Sequence, residues 1–432
     1  MIYREVVGMN HNLLKKVITD QHQVIRESRI CRRPYTFEKN GNYVLTGLRR
    51  AGKSMLLYGI VQDLIADGVD WDQIIYINFE DERLSEFTLA DFNDIVAVQS
   101  EMSERKGYFF FDEIQNIQGW EKFARRMTDS KERVYITGSN AKMLSREIET
   151  TLGGRFLEKY VTPYSFEEYL TALQIPHQPS DLIGTKTRGR IDSALQHYLE
   201  EGGLPESLIY TSKREYLSTV LQKIVLGDIV SRNNLKNDYT LKVLIKKIAE
   251  TICNEVSYSK LYGTLKGIGL STGKDTVIDY ISYAKEAYLL FTVQNGFSAF
   301  SERESTPKYY FEDNGLLNLF LFEKTGILLE NLVASALHRR YGDQVFFLKS
   351  AKSGIDVDFY LPEQSTAIQV CADLNESSFD RETENLIKLK NNLPDVRELF
   401  IVTLEGGTTL ERSGATIRVI PATEFLLSEP GK

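Results

Sequence analysis

Residues 47 to 54 read GLRRAGKS and carry the spacing GxxxxGK[ST]. A strand-like apolar run, YVLTG from Tyr43, leads into them, and a helical pattern, SMLLYGIVQDLIADG, follows. In that context Gly47 and Gly52 let the backbone curl so that its N–H groups face phosphate oxygens, and the start of the helix adds the positive end of its dipole. Lys53 supplies a point charge for the β- and γ-phosphates, and the Ser54 hydroxyl is a ligand for Mg²⁺. The loop Gly47, Leu48, Arg49, Arg50, Ala51, Gly52, Lys53 and Ser54, with Met55 after it, is therefore expected to hold ATP with Mg²⁺.

Such a loop needs an acid at the end of a neighbouring buried strand. The run YFFFDE places Asp112 after four apolar or aromatic residues, at the carboxyl edge of a sheet, where open α/β sheets bind ligands. Asp112 is expected to hold the Mg²⁺, directly or through water, and Glu113 to polarise the attacking water as general base. A third apolar strand, RVYITGS, ends near Ser139 and Asn140, and a polar side chain there can touch the γ-phosphate or orient the water. Two arginines follow, Arg146 in MLSREIE and Arg155 after a Gly-Gly pair. An arginine beyond the third strand can reach the γ-phosphate of a neighbouring subunit. Arg155 is the preferred candidate for this role in trans, which implies a homo-oligomer.

The elements that must position these residues are legible in the hydropathy pattern. Leu13, Leu14, Val17 and Ile18 have helical spacing, and the stretch 1–38 reads as helical. From Tyr43 to about 160, short apolar strands alternate with helices, which implies a parallel sheet covered on both faces. The alternation then stops. Residues 190–235 read as mainly helical, and 240–295 as several helices followed by the apolar strand LLFTVQ. From about 326 a second α/β block begins with the helix ENLVASALHRRY and the strands QVFFLKS, DVDFYL, AIQVC and ELFIVTL.

Composition narrows the partners. The chain has 432 residues, 42% hydrophobic and 26% charged, enough for a sizeable core, and a formal net charge of −8. Bulk attraction to nucleic acid is thereby excluded, so any such contact needs a local patch. The three cysteines, Cys31, Cys253 and Cys371, form no CxxC pair, which argues against a disulfide framework or a cysteine zinc site. No run reaches the roughly 20 apolar residues of a membrane span. A soluble, cytoplasmic protein is expected.

These motifs, with INFEDERL, FFFDEIQNI, ITGSNAKMLSREI and LGGRFLEKYVTPYSFEEYL in this order, resemble the AAA+-type prokaryotic ATPases that carry a C-terminal domain of unknown function. The later segments EGGLPESL, DIVSRNN, KYYFEDNGLLN and GILLENLVASAL extend the resemblance over nearly the whole chain. It implies an α/β fold: a P-loop NTPase (AAA+-like) parallel sheet over 1–165, a helical connector over 166–238, a winged-helix module over 239–300, and a restriction-endonuclease-like domain related to PD-(D/E)xK nucleases over 301–432.

In the winged-helix region a third helix begins near Ser271 or Thr272, read as its N-cap, and would present Lys274, Asp275 and Thr276 to a DNA groove. Lys260 and Lys266 could add backbone contacts. Against DNA stand Asp275, Asp279 and Glu286 on the same helix. In the nuclease-like block Glu330 and Asp358 match the first two acids, but the strand expected to read ExK reads Gln369-Val370-Cys371. Gln is a poor ligand for Mg²⁺ and Cys lacks a fixed positive charge, so the nuclease centre is expected to be degenerate. Two readings follow: Mg²⁺-dependent ATP hydrolysis coupled to DNA, or a nucleotide-dependent protein-interaction switch. An active nuclease is disfavoured.

Overall fold

The computed structural model describes residues 10–138, 152–181, 184–299, 303–322 and 324–428. The chain divides into two compact units, Met1–Val161 and Thr162–Lys432.

The first unit is built on strands β1 (Tyr43–Thr46), β2 (Ile74–Asn78), β3 (Tyr108–Asp112), β4 (Arg133–Thr137) and β5 (Leu157–Tyr160), with helices α1 (His11–Glu27), α2 (Lys53–Ala66), α3 (Phe92–Met102) and α4 (Trp120–Asp129). The sheet order is β2-β3-β4-β1-β5 and every pairing is parallel. β1 to β4 are buried along almost their whole length, as strands covered on both faces must be. The helix expected over 1–38 ends at Glu27 among the described residues. From Ser28 the chain runs extended toward β1, and Arg33 on this stretch donates to the Ala51 carbonyl at 3.0 Å.

Alternating side chains divide the strand residues between two faces. On one face Phe79, Phe92, Phe111 and Phe123 pack together, with Phe92 and Phe123 stacked at 4.3 Å. The other face carries an aromatic ladder. Tyr43, Tyr135, Phe110 and Tyr76 stand opposite one another on β1, β4, β3 and β2, with successive ring centroids 5.9, 4.7 and 6.0 Å apart. Such pairs contribute about 0.5–1.5 kcal/mol each beyond burial. Asp112 lies two residues beyond Phe110, so it shares the ladder's face.

The second unit begins with helices α5 (Phe166–Ala172), α6 (Thr185–Glu201) and α7 (Lys213–Lys223); α7 runs into a π-helical segment, Ile224–Ser231. Next come α8 (Asp238–Ala249), α9 (Tyr258–Gly267) and α10 (Lys274–Glu286), then strands β6 (Leu290–Asn295) and β7 (Lys308–Phe311). Helices α11 (Asn314–Asn318) and α12 (Thr325–Tyr341) precede β8 (Phe346–Ser350), β9 (Ile355–Leu361) and β10 (Thr366–Val370). Helix α13 (Glu376–Asn392), β11 (Glu398–Thr403), β12 (Thr408–Arg412), β13 (Ala415–Pro421) and α14 (Ala422–Leu427) complete it. The eight strands among the described residues of this unit form one mixed sheet, β12-β13-β11-β10-β9-β8-β6-β7. The boundary expected at 300 thus falls between β6 and β7, which pair antiparallel within this sheet. The N-cap of α10 is Gly273, not Ser271 or Thr272, and no side chain caps it.

Several motifs quoted above turn out to be joints. Gly202, at the end of α6, has φ 75°, and a Cβ there would lie 2.2 Å from Asp313 Oδ1. Asp313 caps α11, accepting from Leu316 N–H, and its other oxygen accepts from Gly203 N–H at 2.8 Å. Asn314 and Asn331 complete a buried network: Asn331 bonds both backbone groups of Phe311 and the Asn314 side chain.

Burial pushes the Asp313 carboxyl up to about 6, although the N–H groups of Gly203, Leu316 and Gly315 favour its ionised form. The folded state therefore holds this proton more tightly than the unfolded chain, whose carboxyl titrates near 4. Asp313 supports folding most below that value and loses this contribution as pH rises through about 6. Asp313→Asn is expected to remove about 2 kcal/mol from the stability difference between pH 4 and pH 7. Urea unfolding across that range checks it, and parallel pH profiles for the two proteins would contradict the raised pKa.

Candidate nucleotide site and a buried acidic centre

The loop after β1 has the curled backbone that its glycines imply. Gly47, Arg50 and Gly52 have φ of 134°, 66° and 96°. At Gly47 a Cβ would stand 2.1 Å from the Val161 carbonyl oxygen, so a larger residue would drive β5 away from β1. Leu48 and Ala51 are buried and anchor the loop. Gly52 precedes α2 without a side-chain cap, the state in which helix N-termini bind phosphate. Lys53 is only 5% exposed, and its ammonium donates to the carbonyls of Gly47 at 2.9 Å and Leu48 at 3.1 Å. Arg49 pairs with Glu80 at 3.7 Å, and Met55 points outward, 38% exposed.

Because the order is β3-β4-β1, the ends of β3 and β4 lie beside this loop. Asp112 ends β3, fully buried, with the Ser54 hydroxyl close enough to favour its ionised form. Its Oδ1 accepts from the Thr137 hydroxyl at the end of β4, and its Oδ2 from Tyr76 at 2.8 Å. Burial raises the Asp112 carboxyl above its ordinary range, with the Glu113 charge adding to the rise, while the three hydroxyl donors act against it. The Tyr76 ring packs edge-on against Tyr58 of α2, with centroids 5.3 Å apart, and Tyr58 accepts from Gln21 of α1 at 2.7 Å. Gln21, Tyr58 and Tyr76 thus form a line of contacting side chains from α1 to Asp112.

Glu113 has a left-handed backbone, φ 54°, a conformation that costs a non-glycine residue about 1 kcal/mol or more. Its N–H donates to Thr137 Oγ1 at 2.9 Å and its carboxylate accepts from Gln115. Thr137 therefore fastens both acids with one hydroxyl. Sequence reasoning did not single out Thr137 or Tyr76, since a threonine ending a strand and a tyrosine inside one carry no local signal of chemistry.

The donor set fits ATP with Mg²⁺: two hard oxygen ligands, Ser54 and Asp112, sit side by side, next to an ammonium and an uncapped helix start. Arg155 is placed elsewhere. It precedes β5, at the sheet edge opposite the loop, and binds Asp129 at 2.6 Å, so it does not join this chain's own nucleotide site. Ser139, Asn140 and Arg146 lie outside the described residues.

Tyr76→Phe is expected to leave the ladder packed and to remove one donor from a buried carboxylate. A loss of about 1.5 kcal/mol or more would raise the Mg²⁺ concentration needed for half-maximal ATP binding roughly tenfold. A Mg²⁺ titration of nucleotide binding tests this, and an unchanged midpoint would show that Tyr76 does not position Asp112.

In the second unit the structure brings Glu330 of α12 and Asp358 of β9 together, around Lys308 of β7. Gln369 does not reach this centre as a ligand. Its amide oxygen accepts from Asp358 N–H at 2.7 Å, and its amide nitrogen donates to the Asp356 carbonyl and to Glu382 at 2.6 Å. Cys371 is buried with its thiol 3.2 Å from the Asp373 carbonyl, apart from the acids. Lys308 was missed because it lies 50 residues before Asp358, on a strand whose pattern drew no assignment.

Residues 39–170 match the family described as AAA domain, a span that includes every described nucleotide-site residue named above; residues 192–325 match a family described as domain of unknown function (DUF8612). The chain is 33% identical to the uncharacterized protein MJ1544 of Methanocaldococcus jannaschii, covering 96% of this chain and 95% of that one. It is 31% identical to an uncharacterized protein of Haemophilus influenzae, over 81% and 86% of the two. Among solved structures, the Walker-type ATPase paby2304 of Pyrococcus abyssi aligns at 14% identity and a TM-score of 0.43, over 69% of this chain and 99% of that one. Among the described residues no helix is long and apolar enough to cross a membrane.

Proposed function

This chain belongs to the family of the Methanocaldococcus jannaschii protein MJ1544, and from that premise we propose that it is a Mg²⁺-dependent ATPase that acts on DNA. The observation that carries the ATPase reading is the placement of Ser54 and the buried Asp112 together beside the buried Lys53 ammonium. When bound, Mg²⁺ would neutralise charge on the β- and γ-phosphates. Ser54 and Asp112 would hold the ion, and Lys53 would exchange its loop carbonyls for phosphate oxygens. Glu113, one residue beyond Asp112 and turned by its left-handed backbone, would take the proton of the attacking water.

Arg155, salt-bridged to Asp129 away from its own loop, would serve the site of a second copy. Arg155→Ala should then spare ATP binding and slow turnover; equal turnover in the assembled protein would end that assignment.

The DNA reading is supported by α8, α9 and α10 followed by the β6–β7 hairpin. A short stretch between α8 and α9 joins β7, with Glu255 bridged to Lys308 and Val256 N–H donating to the Pro307 carbonyl at 3.1 Å. This is the element order of a winged helix, with Lys274, Lys260 and Lys266 exposed. A second reading, a nucleotide-dependent protein-interaction switch in the cytoplasm, is favoured by the exposed Asp275 and Asp279 on α10 and the net charge of −8.

ATP turnover with and without single- and double-stranded DNA, at low and moderate salt, separates the two. DNA stimulation that fades with salt is expected from phosphate contacts. Turnover indifferent to DNA would favour the switch.

A further inference from the structure

The centre in the second unit contains a cation already. Lys308 is 3% exposed, and its Nζ lies 3.2 Å from Glu330 Oε1 and 3.1 Å from Asp358 Oδ1. Glu330 also accepts from the Tyr310 hydroxyl at 2.7 Å and lies beside the Cys253 thiol. Asp358 Oδ2 accepts from Val370 N–H at 3.0 Å, and its side chain is 19% exposed, which leaves the centre a path to solvent. One ammonium thus faces two carboxylates contributed by separate elements, α12 and β9. Buried charges persist only when paired, and an isolated pair of acids here would demand a counter-ion.

A third acid is excluded by the surroundings of Gln369. A glutamate there would set a carboxylate oxygen against the Asp356 carbonyl and the Glu382 carboxylate, the two groups that now accept from the glutamine amide. Among the described residues no cluster of three or more His, Cys, Asp or Glu is arranged to hold a metal ion. The centre therefore offers two carboxylates, and the ammonium between them balances one.

We propose that the Lys308 ammonium is the resident cation of this centre, standing where a divalent ion would sit between Glu330 and Asp358, so that the protein takes no metal here and loss of the lysine opens a divalent-cation site. Burial alone would lower the pKa of Lys308, but the charges of Glu330 and Asp358 override it and keep the ammonium protonated. A hard cation with retained waters needs only one or two protein carboxylates, so the pair left by truncating Lys308 suffices. The inference does not depend on the ATPase reading, which concerns the other unit.

The test is Mn²⁺ binding to full-length, nucleotide-free protein, followed by electron paramagnetic resonance. Lys308→Ala is expected to gain one Mn²⁺ per chain, with a dissociation constant of about 1 mM or tighter, relative to wild type. Lys308→Ala combined with Asp358→Asn should lose that ion, which separates it from any binding at the nucleotide loop. Equal Mn²⁺ binding by wild type and Lys308→Ala would overturn the proposal, as would wild-type binding that Asp358→Asn abolishes. Because Lys308→Ala can weaken folding, melting temperature is measured in parallel. Mn²⁺ should raise that of Lys308→Ala and not that of the double variant, and no rise in either would also overturn it.

Discussion

Lys53→Ala is expected to bring ATP turnover to background, a loss on the order of a thousandfold or more. The ammonium is enclosed by the loop, 5% exposed and bonded to two loop carbonyls. No water-filled substitute can deliver a fixed positive charge there. Phosphate release and binding of a fluorescent nucleotide analogue would be measured together, with thermal melting to verify that the loop still folds. Arginine is not a safe replacement, because its planar fork does not fit a cage built around a point charge. Wild-type turnover by Lys53→Ala would place the nucleotide site elsewhere.

Glu113→Gln should separate binding from chemistry. The amide is isosteric and keeps an oxygen to accept from Gln115, and the backbone bond to Thr137 is unaffected. ATP should therefore bind as in wild type, while turnover falls about 10²–10⁴-fold for want of a general base. Single-turnover hydrolysis of radiolabelled ATP gives both quantities. Weakened binding with normal turnover would instead make Glu113 a ligand-binding residue and leave the water to another group. The left-handed φ of 54° fits a role in chemistry, since strain of this kind persists only where its surroundings hold it in place. The partner that holds it is Thr137, which also carries Asp112. Substitution of Thr137 would therefore disturb both acids at once and could not tell their roles apart.

Much of the first unit was readable from local pattern. The glycine spacing, the strand before it and the helix after it are contiguous in the chain, so the conformation they require is a local property. The same is true of Asp112, which ends an apolar run and must therefore end a buried strand. The helix expected over residues 1–38 stopped at Glu27 because the extended stretch after it is held from outside, by Arg33 on Ala51 and by Tyr35 on the Tyr160 carbonyl. Contacts of that kind leave no periodicity to read. In the second unit the glycines of EGGLPESL and the Asp313-Asn314 pair stood out as motifs, but their purpose, a close approach of α6 to α11, is visible only with both elements in place.

The curled loop at residues 47–54, the acid pair Asp112 and Glu113 and the alternation of elements that makes a parallel sheet each follow from residues adjacent in the chain. Tertiary structure alone decided the rest. It set Tyr76 and Thr137 on the two oxygens of Asp112 and carried Arg155 to the far edge of the sheet. It turned Gln369 toward Glu382 and filled the space between Glu330 and Asp358 with Lys308. The reason is physical: in a pleated sheet, hydrogen-bond partners and charge partners are chosen by strand order and register, which join residues far apart in the chain, and a buried charge takes whatever partner that register presents.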